Sequence, residues 1–286
     1  MPFPDTNTTY KVMKLAEVGK FAVPAFNCYN TDALMGAIKA AEKLRSPAII
    51  EIFPWSLHFQ GSEFVKFASM ACKAATVPIA LHLDHCTNHD DVFAALELPF
   101  DSIMVDASTG NDVKAGAEFV KKIVELAATK NITIEAEMGR IVGGEDGLPT
   151  VDMEAMYTEP DDAKWFVEAT GVHFLAPSFG NVHGPYPPGG PLKYWQMDRL
   201  LEIGKSCGVM MVLHGTNPIL PELISGVIDS GVRKVNLNKN LYVKYRKFLS
   251  ENASSLEMTK LTEGGIAAFQ EDAEWAIKLL KADGRV

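Results

Sequence analysis

Cysteine is scarce. The chain of 286 residues carries four, Cys28, Cys72, Cys86 and Cys207, at irregular spacings and without a Cys-x-x-Cys pair, which excludes a disulfide framework and a cysteine-built zinc site and predicts reduced thiols. Positive charge is also short: 27 lysines and arginines against 36 acidic residues leave a net charge of −9. No basic cluster overcomes that field, so nucleic acid is an unfavourable partner and a phosphorylated ligand would need strong local compensation. Long hydrophobic runs are missing. Ala33–Ile38 and Gly208–Leu213 fall far short of the ~20 residues of a membrane helix, so no membrane partner is expected. The opening Met-Pro-Phe-Pro-Asp lacks a basic residue followed by an apolar stretch, which reads as a cytoplasmic protein without a secretory signal. Low-complexity segments, internal repeats and dividing linkers are absent too, so one domain over 1–286 is expected.

What is present is a rhythm. Short β-branched or apolar runs near 22–27, 48–53, 78–83, 102–106, 132–137, 173–177, 210–213 and 233–237 read as eight strands. Between them, segments of helical period lie at 31–44, 62–75, 88–97, 111–130, 160–169, 195–206, 218–229 and 239–251, with further helices near 6–18 and 265–282. Asp32 and Asn111 stand where a side-chain oxygen caps a helix. Eight strands with eight crossovers, in a chain close to the roughly 250 residues usual for the fold, predict an α/β protein of the (β/α)8 TIM-barrel class. The long connections Gly139–Pro160 and Ser178–Pro191 both follow strands, on the face where such barrels carry their sites.

Three clusters stand at strand ends. Leu81-His82-Leu83-Asp84-His85 closes the third strand, and a period of two points His82 and Asp84 to one face. Gly180-Asn181-Val182-His183-Gly184 follows the sixth strand and His214-Gly215-Thr216-Asn217 the seventh. Imidazole is a common zinc ligand, and three protein ligands with an open position describe a catalytic metal. Glycines beside two of the histidines let backbone N–H groups approach an anion. A lone histidine is more often packing or surface, which is the reading for His58, His89 and His173. The chemical rival is a Schiff-base lysine. Lys234 is its one candidate, and the segment Arg233-Lys234-Val235-Asn236 reads instead as a strand-flanking charge.

In these motifs, together with Pro24-Ala25-Phe26-Asn27, Ser102-Ile103-Met104-Val105-Asp106-Ala107-Ser108, Glu135-Ala136-Glu137-Met138-Gly139 and Lys234-Val235-Asn236-Leu237, the chain resembles the class II fructose-bisphosphate and tagatose-bisphosphate aldolases. Each segment is weak alone; their order along successive strands is specific. The resemblance implies a zinc ion on His85, His183 and His214, with Asp106 and Glu137 near an alternative metal position and a monovalent cation such as Na⁺ or K⁺ as an additional cofactor. It implies Asp84 as the acid/base at the aldehyde-half hydroxyl, Glu145 as a mobile carboxylate at the ketone α-carbon, and Asn27 and Asn236 as substrate-orienting amides. A small phosphorylated sugar is the implied substrate, and a homodimer or homotetramer the implied assembly. Trp165, Tyr194 and Trp195 are candidates for an interface, if exposed.

Certain stretches depart from that family's pattern. A Ser- and Gly-rich turn is replaced by Ile52-Phe53-Pro54-Trp55-Ser56, which narrows a phosphate pocket unless Ser56 substitutes from a shifted turn. Gly184, Gly215, Thr216, Asn217, Asn238 and Lys239 are the remaining candidates for substrate and phosphate contacts, with Lys239 offering a full charge where the family has a hydroxyl. Gly264-Gly265-Ile266-Ala267 stands where bisphosphate aldolases often have an arginine. A ketose monophosphate is therefore an alternative substrate, a non-catalytic sugar-phosphate binder an alternative function, and a metal-dependent isomerase or hydrolase a third.

Overall fold

A computed structural model describes residues 5–106, 113–141, 143 and 157–286. Its strands are β1 (Val23–Asn27), β2 (Ala48–Ile52), β3 (Ile79–Cys86), β4 (Ser102–Val105), β5 (Thr133–Met138), β6 (Phe174–Pro177), β7 (Met210–Leu213) and β8 (Val232–Leu237). All pairs are parallel, and β8 pairs with β1 to close the barrel. The expected TIM-barrel class is what the structure has. Strand residues are buried on both faces, Met210 being the half-buried exception among them. This is why β4, β6 and β7 read as nearly continuous apolar runs.

The helices are α1 (Thr8–Gly19), α2 (Thr31–Leu44), α3 (Pro54–Ala74), α4 (His89–Ala95), α5 (Val113–Ala128), α6 (Pro160–Thr170), α7 (Gly190–Tyr194), α8 (Met197–Ser206), α9 (Pro221–Asp229), α10 (Val243–Asn252) and α11 (Met258–Leu279). α3 starts eight residues before its expected position, because Pro54 sits in the first turn, where its missing N–H costs nothing. It is kinked at Gly61, whose φ is 77°. Asn30, not Asp32, caps α2: its side chain accepts from the Ala33 amide, and Asp32 lies in the first turn. The candidate cap Asn111 lies outside the described residues. α1 seals the N-terminal end of the barrel, where the Asn7 amide donates to the carbonyls of Asp101 and Asn131, each at 2.7 Å.

All four cysteines are buried and unpaired. Trp195 is buried with its indole N–H donating to the Tyr186 hydroxyl at 2.7 Å, so it packs within the chain. Among the described residues, no helix is long and apolar enough to cross a membrane.

His173 is a packing residue with a consequence for acid stability. Its Nδ1 accepts from the Ile134 amide at 3.0 Å, and burial lowers its pKa to about 4. The unfolded chain therefore takes up this proton first as pH falls below about 6.5, so stability drops through the window from 6.5 to 4. Denaturant melts at pH 7 and pH 4.5 are expected to show His173→Asn losing less stability than the parent, by up to about 3 kcal/mol. Equal losses would remove His173 as a source of the slope.

Candidate metal centre

The inside of this barrel is polar where such barrels are usually filled by branched apolar side chains. Asn27 from β1, Glu51 from β2, His82 and Asp84 from β3, Glu135 and Glu137 from β5, and Lys234 and Asn236 from β8 are all buried. Period two brings His82 and Asp84 to one face, as expected, and by the same rule would turn His85 away. The strand avoids this. Its register against β4 shifts between Leu83 and Cys86, and His85 adopts a left-handed φ of 45°. A non-glycine residue there is strained by about 1 kcal/mol or more. The strain lets two consecutive side chains enter the same cavity.

His85, His183 and His214 come together. Ring centroids of His85 lie 4.8 Å from His183 and 4.7 Å from His214, and the rings stand nearly perpendicular. With Glu137 they form a buried set whose potential ligand atoms all lie within 4.8 Å of one another. Asp106 is not part of that set; its Oδ2 stands 3.3 Å from His85 Nδ1. Glu135 Oε1 stands 2.9 Å from His214 Nε2. Each carboxylate stands beside one ring nitrogen, and the remaining nitrogens, His85 Nε2 and His214 Nδ1, face each other at 2.8 Å, the separation of a shared proton. A metal ion that displaced this proton would find both nitrogens turned inward, beside His183 and Glu137. Carboxylates that orient ligand imidazoles in this way are the usual surroundings of a protein-bound zinc. Burial by itself would lower the basicity of His85, but Asp84, Asp106 and Glu137 outweigh it and raise the pKa to about 10. Burial and the neighbouring His85 push His214 well below the ordinary value. The donor set fits a divalent metal.

The histidine loops are locked by their neighbours' backbones. Gly143 bridges to His183, and Val182 bridges to Thr216. At Gly215, φ is 70° and an added Cβ would lie 2.6–2.9 Å from the Val182 backbone. Asn181 donates to the His214 carbonyl at 3.0 Å, so the loops after β6 and β7 form one unit.

Asp84 is 1% exposed. It accepts from Asn236 Nδ2 at 3.2 Å and from Asn27 Nδ2 at 3.4 Å. Among the phosphate candidates, Thr216 donates its hydroxyl to the Asn236 carbonyl and Asn238 accepts from the Tyr29 hydroxyl. Asn217 and Lys239 are half-buried, and Gly184 holds a φ of 94°. Ser56 is fully buried in the first turn of α3. Phe53, three residues before it, lies 6.3 Å from His85, ring to ring. Glu145 lies outside the described residues. His58 pairs with Asp91 on the surface and His89 stacks on Phe119.

Lys234 corrects the reading of its segment. It is not a flanking charge but fully buried, 2.7 Å from Glu51 Oε1 and 2.9 Å from Glu135 Oε2. Burial favours losing the proton, yet Glu135, Glu51 and Asp84 together hold its pKa above the ordinary value. An ammonium clamped between carboxylates is no nucleophile, which removes the Schiff-base rival. Glu51 and Glu135 were legible only as carboxylates interrupting the apolar runs of β2 and β5, a sign of buried polar function.

The sequence model of class II fructose-bisphosphate aldolase matches residues 7–285. The chain belongs to the class II fructose-bisphosphate aldolase family. A protein of Coccidioides immitis described as a putative fructose-bisphosphate aldolase is 39% identical over the whole chain and 97% of the relative. The crystal structure of a fructose-1,6-bisphosphate aldolase from that organism, likewise described as putative, superposes with a TM-score of 0.94 over 98% of both chains at 39% identity. A fructose-bisphosphate aldolase of Thermus caldophilus is 28% identical, covering 97% of this chain and 99% of that one. The YdjI aldolase of Escherichia coli K12 has a TM-score of 0.83 at 27% identity, over 96% and 97%. As a class II aldolase, the chain is a carbon–carbon lyase of a family that acts on phosphorylated sugars and is generally metal-dependent.

Proposed function

We propose that this aldolase uses zinc on His85, His183 and His214 to cleave a ketose bisphosphate reversibly, most simply fructose 1,6-bisphosphate, giving dihydroxyacetone phosphate and an aldehyde. The observation that carries this is the convergence of three buried imidazoles and Glu137, with two ligand nitrogens already oriented by carboxylates. A bound zinc ion would supply Lewis-acid stabilisation for the negative charge left on the ketone half. The chain's own residues handle the protons. Asp84 takes the proton of the C4 hydroxyl as the C3–C4 bond breaks, and Asn27 and Asn236 hold its oxygens toward that hydroxyl. Glu145 returns a proton to the α-carbon. Glu137 and Asp106 offer a second resting place for the metal, and Na⁺ or K⁺ a further cation beside the phosphate. Gly184, Gly215, Thr216, Asn217, Asn238 and Lys239 line the phosphate side. Four unpaired buried thiols support a reducing, cytoplasmic setting; the working form is a homodimer or homotetramer.

The bulky Phe53 ring 6.3 Å from His85, in the stretch where the resembled family has a small Ser- and Gly-rich turn, favours a second reading in which the substrate is a ketose monophosphate. One experiment addresses both. Purified parent and His183→Ala are analysed for zinc and assayed for dihydroxyacetone phosphate release from fructose 1,6-bisphosphate and fructose 1-phosphate. The parent should hold one zinc per chain, and the variant should lose most of it together with at least about 100-fold of its activity. Retained metal and full activity in the variant would refute the assignment. A parent kcat/KM greater for the monophosphate selects the second reading.

A further inference from the structure

We propose that Lys234 is a positioning residue that holds the acid–base carboxylate and the metal-facing imidazole in one frame, through two arms that start at its ammonium group. The inference rests on the metal-aldolase reading and goes beyond it. One arm runs from Lys234 to Glu51 Oε1 at 2.7 Å. The other oxygen of Glu51 accepts from Asn27 Nδ2 at 2.9 Å, and that same amide donates to Asp84 at 3.4 Å. The second arm runs from Lys234 to Glu135 Oε2 at 2.9 Å, and Glu135 Oε1 accepts from His214 Nε2, also at 2.9 Å. Each carboxylate thus spends one oxygen on the lysine and turns the other toward the site.

Stability does not account for this arrangement. Lys234, Glu51 and Glu135 are each inaccessible to solvent, and ions so deeply buried are often replaced by apolar groups of the same volume without loss. A barrel interior ordinarily takes such apolar groups. What the ions provide that valine or leucine would not is direction. Lys234 fixes the Glu135 carboxylate so that His214 donates from Nε2 and presents Nδ1, and it fixes Glu51 so that Asn27 keeps an amide on Asp84.

The two arms predict a division of effects. Metal-free parent, Glu51→Gln, Glu135→Gln and Lys234→Met are titrated with Co²⁺ alone, following its d–d absorption and competing with a chelator. The reconstituted proteins are then assayed with fructose 1,6-bisphosphate, and circular dichroism and melting verify folding. Glu135→Gln is expected to weaken cobalt binding 10- to 100-fold and to shift the band. Glu51→Gln should lower kcat at least tenfold at unchanged KM, with cobalt affinity within threefold of the parent. Lys234→Met should show both defects. The inference is overturned if folded Lys234→Met matches the parent within threefold in both readouts, or if the two glutamine variants show the same defects in the same proportion. Should Lys234→Met fail to fold, that pair of isosteric variants decides. A parent that takes up no cobalt and cleaves no ketose phosphate overturns the underlying reading as well; a competent parent with no division between the arms overturns this inference alone.

Discussion

Asp84→Asn is expected to lower kcat for ketose phosphate cleavage by about 10³-fold, with KM near the parent value and one metal ion per chain still bound. The side chain keeps its size, so packing at a site 1% exposed is preserved. What is lost is the capacity to accept a proton. The amide also brings its own N–H groups toward Asn27 and Asn236, which both donate at this position, and must turn its oxygen to them. A defect in the chemical step lowers kcat and kcat/KM together and leaves ground-state binding alone. Steady-state kinetics with metal analysis test this; a kcat within tenfold of the parent, with normal metal content, would transfer the acid–base role elsewhere.

Gly215→Ala is expected to damage the metal centre severely for so small a change. Its φ of 70° strains any side chain, and the new Cβ would lie 2.6, 2.8 and 2.9 Å from three backbone atoms of Val182. Those atoms belong to the residue before His183, so the clash is relieved only by parting the two histidine loops. We expect about 3 kcal/mol or more of lost stability and a metal affinity 10- to 100-fold weaker. Gly190→Ala supplies the comparison: its φ is 59°, but nothing lies within 4 Å of an added Cβ, so strain of roughly 1–2 kcal/mol is its whole cost. Chemical denaturation and metal competition on both variants check the contrast. Equal behaviour of the two would show that the loops do not depend on that close approach.

The barrel was legible because its strands are buried on both faces, and apolar runs between helical segments have few other readings. Element boundaries were less so. The start of α3 was hidden by Phe53-Pro54-Trp55-Ser56, which reads as a bulky turn until Pro54 is seen to open a helix. The stretch 239–251 begins as a 3-10 turn at Lys239–Tyr242 before α10. At the site, the histidines and Asp84 were visible as polar residues gathered at strand ends. Lys234 was misread because its partners come from β2 and β5, which reach it only across a closed barrel interior. Charge pairing over 99 positions of sequence leaves no local pattern. Glu51 and Glu135 escaped for the same reason.

The bulge at the end of β3 sets Asp84 and His85 side by side on one short length of chain. The proposed proton acceptor and the proposed metal ligand are thereby spaced by covalent bonds, not by the fit of separate elements. Thermal motion or a distant mutation that shifts this strand carries both along together. A substitution meant to change sugar preference while sparing both is then to be placed in their surroundings, at Phe53 or at the turn holding Asn217.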